Sequence, residues 1–295
     1  MNESPWVALR YLFCALVLIG LFFVFPILDS LRLSFFRLIL AFPWLGEKFV
    51  GLENYRDLFT DPIAFKALLT TLVFVAVTTS LEVTFGLGIA LVLNETFRGR
   101  GLLRALVLIP WAIPTVVSSQ MWRFIFNDQY GVLNAFLPDA LKASYGAPLA
   151  DPELAPIAIM IAEVWKTTSF AALIILAGLQ SIPDELYEAG SIDGMSSWQQ
   201  FRNITLPLVK PALLLALLFR TIDALRVFDL VFVMTQGGPA DATNVIQYYG
   251  YKKIFAEGMV GYGSAVAVGI FIVSLVLSLL YIRTVGARLL EAEAK

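Results

Sequence analysis

Residues 183–207 read PDELYEAGSIDGMSSWQQFRNITLP and connect two long apolar segments. Pro183 followed by Asp184 and Glu185 is typical of a helix start, because proline fits the first helical turn and acidic side chains there complement the helix dipole. A connection of this length is unusual between two helices, and its pattern is amphipathic. The stretch therefore predicts a short surface helix outside the apolar segments.

The second half of this connection predicts a bend and another short helix. Gly190 and Gly194 permit a sharp turn of the backbone. Ser196 suits the N-cap of the following helix, since its hydroxyl can accept a hydrogen bond from a backbone N–H of the first turn. Pro207 then begins the next long helix at Leu208. We expect two short helices joined by a glycine elbow.

Six apolar segments surround this connection, each long enough to cross a bilayer, which takes about 20 residues of helix. Their ranges are about 9–28, 67–93, 102–126, 154–179, 208–234 and 264–282. The third contains Pro110 and Pro114, which break a helix. We therefore predict an all-α integral membrane protein with six transmembrane helices, in which residues 1–295 form a single transmembrane domain.

The composition agrees with a membrane protein and excludes several functions. Hydrophobic residues make up 59% of the chain and charged residues 15%, against roughly 25% charged in soluble domains. A net charge of -2 shows no basic footprint, so no nucleic-acid partner is expected. The absence of histidine removes the commonest metal ligand and the usual general base. We predict no metal site and no catalytic residue.

No G-x-x-x-x-G-K-[ST] phosphate loop occurs in the sequence. The chain has no visible means of binding ATP, so it is predicted to hold no cofactor itself. Cations in short loops indicate orientation: the loop after the second segment carries Arg98, Arg100 and Arg104, whereas 127–152 carries only Lys142. This predicts cytoplasmic N- and C-termini, although the first outer loop weakens the contrast because it also carries cations.

The connection resembles the EAA loop of binding-protein-dependent ABC importer permeases. That loop reads E-A-A-x-x-x-G, nine residues and then I-x-L-P, and nine residues separate Gly194 from Ile204 here. Gly190 stands where the family usually has its second alanine. The resemblance covers most of the chain from the second span onward. The residues it assigns to ATPase coupling are Glu188, Ala189, Gly190, Asp193, Gly194, Ile204, Leu206 and Pro207.

The resemblance implies a type I importer permease core whose cytoplasmic loop 180–207 docks on an ATPase. Glu188 would contact a basic group of that partner, and Ala189, Gly190 and Gly194 would permit close approach of its backbone. The implied assembly contains a second homologous permease, two ATPase subunits that bind ATP and Mg, and an extracytoplasmic binding protein. It would lie in the cytoplasmic (inner) membrane of a bacterium or archaeon, surrounded by lipid.

A second resemblance concerns the substrate. Phe228-Asp229, the run MTQGGP at 234–239 and Thr243 resemble the end of the fifth helix in carbohydrate-uptake permeases of the maltose/trehalose and glycerol-phosphate type. The outer-loop motif is Gly237, Gly238 and Pro239. This implies transport of a sugar, with a disaccharide such as trehalose or maltose as the first expectation and glycerol phosphate as the alternative. The sequence departs from the maltose prototype, which has extra N-terminal helices and a large outer domain: the first outer loop here is short, so we expect that domain to be missing.

Polar residues within the spans are candidates for the substrate pathway, because ionisable groups in a membrane usually face a cavity or another helix. Aromatic faces can stack on sugar rings while amides, hydroxyls and charges bind the hydroxyl groups. The last four candidates recur every three residues in the predicted fifth helix. The candidates are Gln120, Trp165, Lys166, Thr167, Arg220, Asp223, Arg226 and Asp229.

Several alternatives remain open at this stage. Arg226 could pair with Asp223 or Asp229 only to hold the structure together, and we interpret Glu82 and Glu163 as interhelical structural contacts. The competing functions are a secondary transporter driven by an ion gradient and a membrane-embedded enzyme or assembly factor. A homodimeric permease is a variant within the importer class. The sequence leaves open the identity of the sugar and which of two permeases would dominate its binding.

Overall fold

The structure, a computed structural model, describes residues 12–13, 15–138, 142 and 145–293. Residues 9–11 and 14 of the first predicted span lie outside these. The helices are α1 Ala15–Leu33, α2 Glu53–Thr60, α3 Pro62–Asn94, α4 Arg100–Ala112, α5 Thr115–Ile125, α6 Val132–Phe136, α7 Leu154–Leu179, α8 Asp184–Ile192, α9 Ser197–Ala224, α10 Asp229–Met234, α11 Ile246–Tyr251 and α12 Val260–Glu293. The strands are β1 Phe36–Arg37 and β2 Lys48–Phe49, and short 3-10 turns occupy Pro43–Leu45 and Pro148–Ala150.

The predicted spans are recovered with changed ends. Among the described residues, five helices are long and apolar enough to cross a membrane, and the bent pair α4 and α5 makes six if it is one span. Helix α7 has the predicted bounds, whereas α3 and α12 each extend beyond theirs at both ends. Helix α1 runs to Leu33 instead of stopping near residue 28. All-round hydrophobicity locates such helices better than it locates their ends.

The predicted fifth span of 208–234 is wrong at both ends. Helix α9 ends at Ala224, and α10 is a separate short helix beginning at Asp229. Tight turns close α9, since Arg226 N–H bonds the Asp223 carbonyl at 3.1 Å and Val227 N–H bonds that of Ala224 at 3.2 Å. The four charges at intervals of three therefore do not lie on one helix.

Pro207 does not begin a new helix. Helix α9 starts at Ser197 and passes through a π-turn at Phe201–Thr205, where the Leu206 N–H bonds the Phe201 carbonyl. Proline lacks an N–H and its ring crowds the carbonyl four residues earlier. The wider turn gives that ring room, so the surface helix and the apolar helix are continuous. Pro26 in α1 follows the π-turn Gly20–Val24 in the same way.

The third span is broken as its prolines predicted, and the break lies at one of them. Helices α4 and α5 meet at 91°. Ile113 is extended because it precedes a proline, and Pro114 occupies the N-cap of α5. Pro110 lies within α4.

The chain divides into two compact units. The first comprises residues up to 65 together with 249–272. In it, β1 and β2 pair antiparallel, and the Asn54 amide donates to the carbonyls of Ser34 at 2.8 Å and Phe36 at 2.9 Å. These bonds fix the chain between α1 and α2.

Asp61 ties three segments of this first unit together. One carboxylate oxygen accepts from the Ile63 N–H at 2.8 Å, and the other accepts from the Tyr249 hydroxyl at 2.5 Å. The Tyr249 hydroxyl also lies 2.8 Å from that of Tyr262. Burial opposes the charged form of Asp61, but the hydrogen bonds from Tyr249, Ile63 and Ala64 outweigh it and lower the pKa of the carboxyl.

The second unit, 66–248 with 273–295, is built on close contact between α3, α7 and α9. Its core is aliphatic and draws residues from all three helices. Gly178 in α7 allows the closest approach, because a Cβ there would lie 2.3 Å from the Ala212 Cβ of α9. Gly86 in α3 faces Ala171 in the same manner. These packed helices carry both regions described next.

Candidate functional site

The predicted glycine elbow is present between α8 and α9. Gly194 has φ of +77°, a conformation that favours glycine. Its N–H bonds the Ser191 carbonyl at 3.1 Å, and the Met195 N–H bonds the Gly190 carbonyl at 2.9 Å. This pair of bonds is a Schellman motif, which satisfies the last carbonyls of α8.

Side chains then clamp α8 to the start of α9. The Ser196 hydroxyl and Gln199 side chain form a capping box, as expected for the N-cap at Ser196. The Tyr187 hydroxyl lies 3.0 Å from that of Thr205, and the Gln200 amide donates to the Ser191 hydroxyl at 2.9 Å. Because α9 continues into the apolar span, α8 is rigidly joined to a long helix.

The eight residues predicted for coupling face different ways. Gly190 is buried, and a Cβ there would lie 3.1 Å from the Ile204 side chain. Its smallness therefore serves packing within the chain, and the expectation that it makes room for a partner backbone is wrong. Ile204 is half-buried on the aliphatic core. The exposed members are Glu188, Ala189, Asp193, Gly194, Leu206 and Pro207.

The exposed surface of α8 combines acids with two large apolar side chains, Leu186, which is 42% exposed, and Ile192. Asp184, Glu185, Glu188 and Asp193 are all exposed, and Ile192 is 87% exposed. Exposed acids can bind a basic surface on another protein, and exposed apolar side chains can bind in a groove on it. This geometry is compatible with the predicted docking role.

A cavity of about 590 Å³ lies in the second unit. Its walls come from the α4–α5 elbow, from α7, from the end of α9 and from the segment 226–230. Of the eight predicted pathway residues, six line it: Lys166, Thr167, Arg220, Asp223, Arg226 and Asp229. Gln120 is exposed on α5 and Trp165 packs edge-on against Trp122 with ring centroids 5.6 Å apart, so neither lines the cavity.

Arg220 is the centre of a buried ion cluster on one wall. Its side chain is 2% exposed. The guanidinium donates to Glu82 at 2.6 Å, to Glu163 at 2.8 Å and to Asp223 at 2.6 Å. The Thr167 hydroxyl adds a bond to Glu82 at 2.8 Å. Glu82 and Glu163 thus make the interhelical contacts expected of them, joining α3 and α7 to α9.

The structural pair foreseen for Arg226 is instead made by Arg220. Asp223 bonds Arg220, and the Asp223 side chain is still 63% exposed toward the cavity. Arg226 and Asp229 are exposed side chains that also line the cavity. The face open to a ligand therefore carries Asp223, Arg226 and Asp229.

Aromatic side chains that sequence reasoning missed complete the cavity. Trp111 stacks on Phe170 with centroids 5.9 Å apart, and Phe170 meets Phe219 edge-on at 6.3 Å. All three line the cavity. In an apolar span an aromatic residue looks like any other hydrophobic residue, so the sequence carries no signal for them beyond the prolines that flank Trp111.

The outer-loop motif forms a tight turn after α10. Gly237 has φ of +81°, and a Cβ there would lie 2.9 Å from the Tyr248 ring. The Thr243 hydroxyl donates to the Gly238 carbonyl at 2.7 Å and lies 2.7 Å from the Thr235 hydroxyl. Tyr248 also packs near Phe228, which lines the cavity. The motif therefore supports the cavity wall from behind.

Comparison with known proteins decides the family. Residues 82–289 match the family of binding-protein-dependent transport system inner membrane components. The chain belongs to this family. The permease is 42% identical over 268 residues to the trehalose/maltose transport system permease protein MalF of Thermococcus litoralis, covering 91% of this chain and 90% of that protein. It is 38% identical to the sulfoquinovosyl glycerol transport system permease protein SmoG of Agrobacterium fabrum, covering 93% and 88%.

A solved structure shows the same fold. A chain of a bacterial ABC transporter involved in the import of the acidic polysaccharide alginate superposes with a TM-score of 0.82, at 22% identity and with 96% of both chains covered. The type I permease fold and multi-pass membrane location predicted from the sequence are thereby confirmed. The permease is a non-catalytic, membrane-spanning subunit, and ATP hydrolysis belongs to separate ATPase subunits.

Proposed function

We propose that this permease forms half of the translocation pathway of a sugar importer and that its substrate is an uncharged glycoside such as a disaccharide. The cavity is the observation that carries this proposal. It is lined both by the stacked pair Trp111 and Phe170 and by the charged groups of Asp223, Arg226 and Asp229. Aromatic faces suit the apolar faces of sugar rings, and carboxylates and guanidinium groups bind their hydroxyls.

The charges on the cavity favour a neutral substrate over glycerol phosphate. The Arg220 guanidinium donates its hydrogen bonds to Glu82, Glu163 and Asp223. The Lys166 ammonium donates to a backbone carbonyl. The exposed face is left with two carboxylates and one guanidinium. A substrate anion would meet two exposed carboxylates beside one exposed guanidinium, whereas a neutral sugar can form hydrogen bonds with all three groups. The similarity to a trehalose/maltose permease agrees with this choice.

The assembly we propose contains a second homologous permease, two ATPase subunits with bound ATP and Mg, and an extracytoplasmic binding protein. The candidate span in α1 has no buried residue within the chain, which suits contact with lipid or with another subunit. The termini and the loop 180–207 would face the cytoplasm. Arg100, which follows the end of α3, donates to the Leu93 carbonyl at 2.7 Å, and cations at that end of α3 support this orientation.

In the proposed cycle, ATP draws the ATPase subunits together and moves α8. Since α8 is clamped to α9, the movement passes to the helix whose far end carries Arg220 and Asp223. The cavity would then change its access from one side of the membrane to the other. A rigid link between docking helix and cavity wall is what such transmission requires.

The first test is ATP-dependent uptake in proteoliposomes that contain the permease with its co-expressed ATPase, second permease and binding protein. Glu188→Lys and Gly194→Asp should abolish uptake while the complex still assembles. Glu185→Lys, on the same helix but outside the predicted coupling set, is the matched control. Uptake that is unchanged by both variants, or that proceeds without ATPase, would support a gradient-driven transporter instead.

The second test concerns the sugar. Trp111→Ala should raise the trehalose or maltose concentration needed for half-maximal uptake by about tenfold, since an aromatic contact of this kind contributes roughly 1 kcal/mol or more. Trp122→Ala, outside the cavity, is the control. Glycerol 3-phosphate transported better than either disaccharide would reject the neutral-sugar assignment and leave the importer assignment standing.

A further inference from the structure

The elbow between α4 and α5 interrupts the helical hydrogen bonding, so backbone carbonyls at the end of α4 need other donors. Helix α4 stops at Ala112, and Ile113 is extended before α5 leaves at 91°. The last carbonyls of a helix have no intrahelical donor and carry the negative end of the helix dipole. In the interior of a membrane such an end requires a positively charged or hydrogen-bonding partner.

Lys166 of α7 supplies such a partner for Ile113, the extended C-cap residue that follows α4. Its Nζ lies 2.5 Å from the Ile113 carbonyl oxygen, and the side chain is only 7% exposed. Among the described residues no other donor reaches this carbonyl. Ser169, nearly one turn further along α7, donates to the Val107 carbonyl at 2.5 Å. Helix α7 therefore contacts α4 through two hydrogen bonds, one to the Val107 carbonyl within the helix and one to the Ile113 carbonyl at its end.

The charged neighbours of Lys166 on the same cavity wall already have another partner. Glu163 on α7 and Asp223 on α9 attract its ammonium, and both carboxylates are themselves bonded to Arg220. The ammonium is thus directed at the elbow, where it donates to a neutral carbonyl. A substrate ligand would instead keep its charge open to the cavity.

Gradient-driven transporters place sodium ions or protons at the carbonyl ends of broken helices. We propose that Lys166 is a tethered cation that fills this place in the permease, positions the elbow and makes a bound ion unnecessary. This inference rests on the proposed function, because the elbow carries Trp111 into the proposed sugar cavity. Phe170, one turn beyond Lys166, stacks on Trp111 and completes the same contact.

The test is chemical rescue of Lys166→Ala, measured as sugar uptake by the full complex in proteoliposomes. Loss of a charge-assisted hydrogen bond should reduce uptake at low sugar concentration by about tenfold or more, chiefly through a raised half-saturation concentration. Added ethylammonium or propylammonium should restore a saturable part of it, and Lys166→Arg should retain more uptake than Lys166→Met. Lys210→Ala, an exposed lysine on α9, is the control.

A readout without substrate separates this inference from the proposed function. In the purified complex, the fluorescence of Trp111, obtained as the difference from Trp111→Phe, should become more accessible to acrylamide in Lys166→Met and recover with propylammonium in Lys166→Ala. Unchanged accessibility and uptake in Lys166→Met would overturn the proposal. So would a loss that neither arginine nor alkylammonium reverses, since lost packing alone would then explain it. A wild-type complex that imports no sugar, yet shows the amine effect on Trp111, would reject only the sugar assignment.

Discussion

The loop at 180–207 and the cavity wall at the end of α9 use charge in opposite ways. On α8 the acids are exposed, and none of them forms a salt bridge with another described residue. At the cavity, Arg220 is nearly inaccessible and binds carboxylates on α3, α7 and α9. Exposed charges remain available to another chain, whereas the buried ones hold this chain together.

The difference follows from where each charge is solvated. An exposed ion keeps its water, so its removal changes the free energy of unfolding little. A buried ion has exchanged water for partners, and removing one partner leaves the others unpaired in a medium of low dielectric constant. Substitutions in the two regions should therefore separate effects on stability from effects on transport.

The largest loss of stability is expected for Arg220→Met. It leaves Glu82, which is 0% exposed, and Glu163 without their cation, and breaking a buried pair costs about 3–5 kcal/mol. Thermal unfolding of the purified complex in detergent measures the effect. Arg226→Met, exposed on the same cavity, should change stability by less than about 1 kcal/mol. Equal shifts for the two variants would show that the Arg220 cluster does not hold the helices together.

A smaller loss is expected for Gly194→Val at the elbow of the loop. The φ of +77° is costly for a residue with a Cβ, by about 1–2 kcal/mol and more when the side chain is branched. Gly101→Ala, in α4 with open space around it, should instead stabilise by up to about 1 kcal/mol. Thermal unfolding should show a lower melting temperature for Gly194→Val and a higher one for Gly101→Ala. An unchanged melting temperature for Gly194→Val would mean that the fold does not require the positive φ at residue 194.

Asp61 lies between these extremes, being half-buried and outside the spans. Because its pKa is lowered on folding, it stabilises the first unit above the unfolded carboxyl pKa of about 3.9, and this contribution disappears as the pH falls through the lower folded value. Asp61→Asn should be less stable than wild type at pH 6, and the difference should narrow below pH 4. Melting curves across that range check it, and a difference independent of pH would contradict it.

The smallest change in stability is expected for Glu188→Lys. Its exposed side chain has no described salt bridge, so the free energy of unfolding should move by less than about 0.5 kcal/mol. If the same variant abolishes uptake, the exposed acid acts on a partner. A large fall in melting temperature would instead place Glu188 in the chain's own structure and remove the contrast between the two regions.

Sequence reasoning succeeded where the determinants are local. The start of α8 at Asp184, the turn at Gly194 and the cap at Ser196 each depend on residues within one or two turns of helix. It failed at Pro207, because a π-turn before this proline lets the helix continue through it. No residue type in the sequence predicts a π-turn. It also failed at the end of α9, because hydrophobicity continues through the break at 225–228.

By itself, the sequence determined the membrane class, the approximate spans, the local conformation of the loop at 183–200 and the family resemblance, because hydrophobic length, capping residues and motif spacing are properties of neighbouring residues. Only the tertiary structure decided that Gly190 faces Ile204, that Arg220 binds three carboxylates and that Lys166 reaches the elbow. These contacts join residues from 14 to 138 positions apart, apart from Asp223 on the same helix turn. Helix packing determines which polar groups come into contact. The free energy of burying a charge depends on whether it has such a partner.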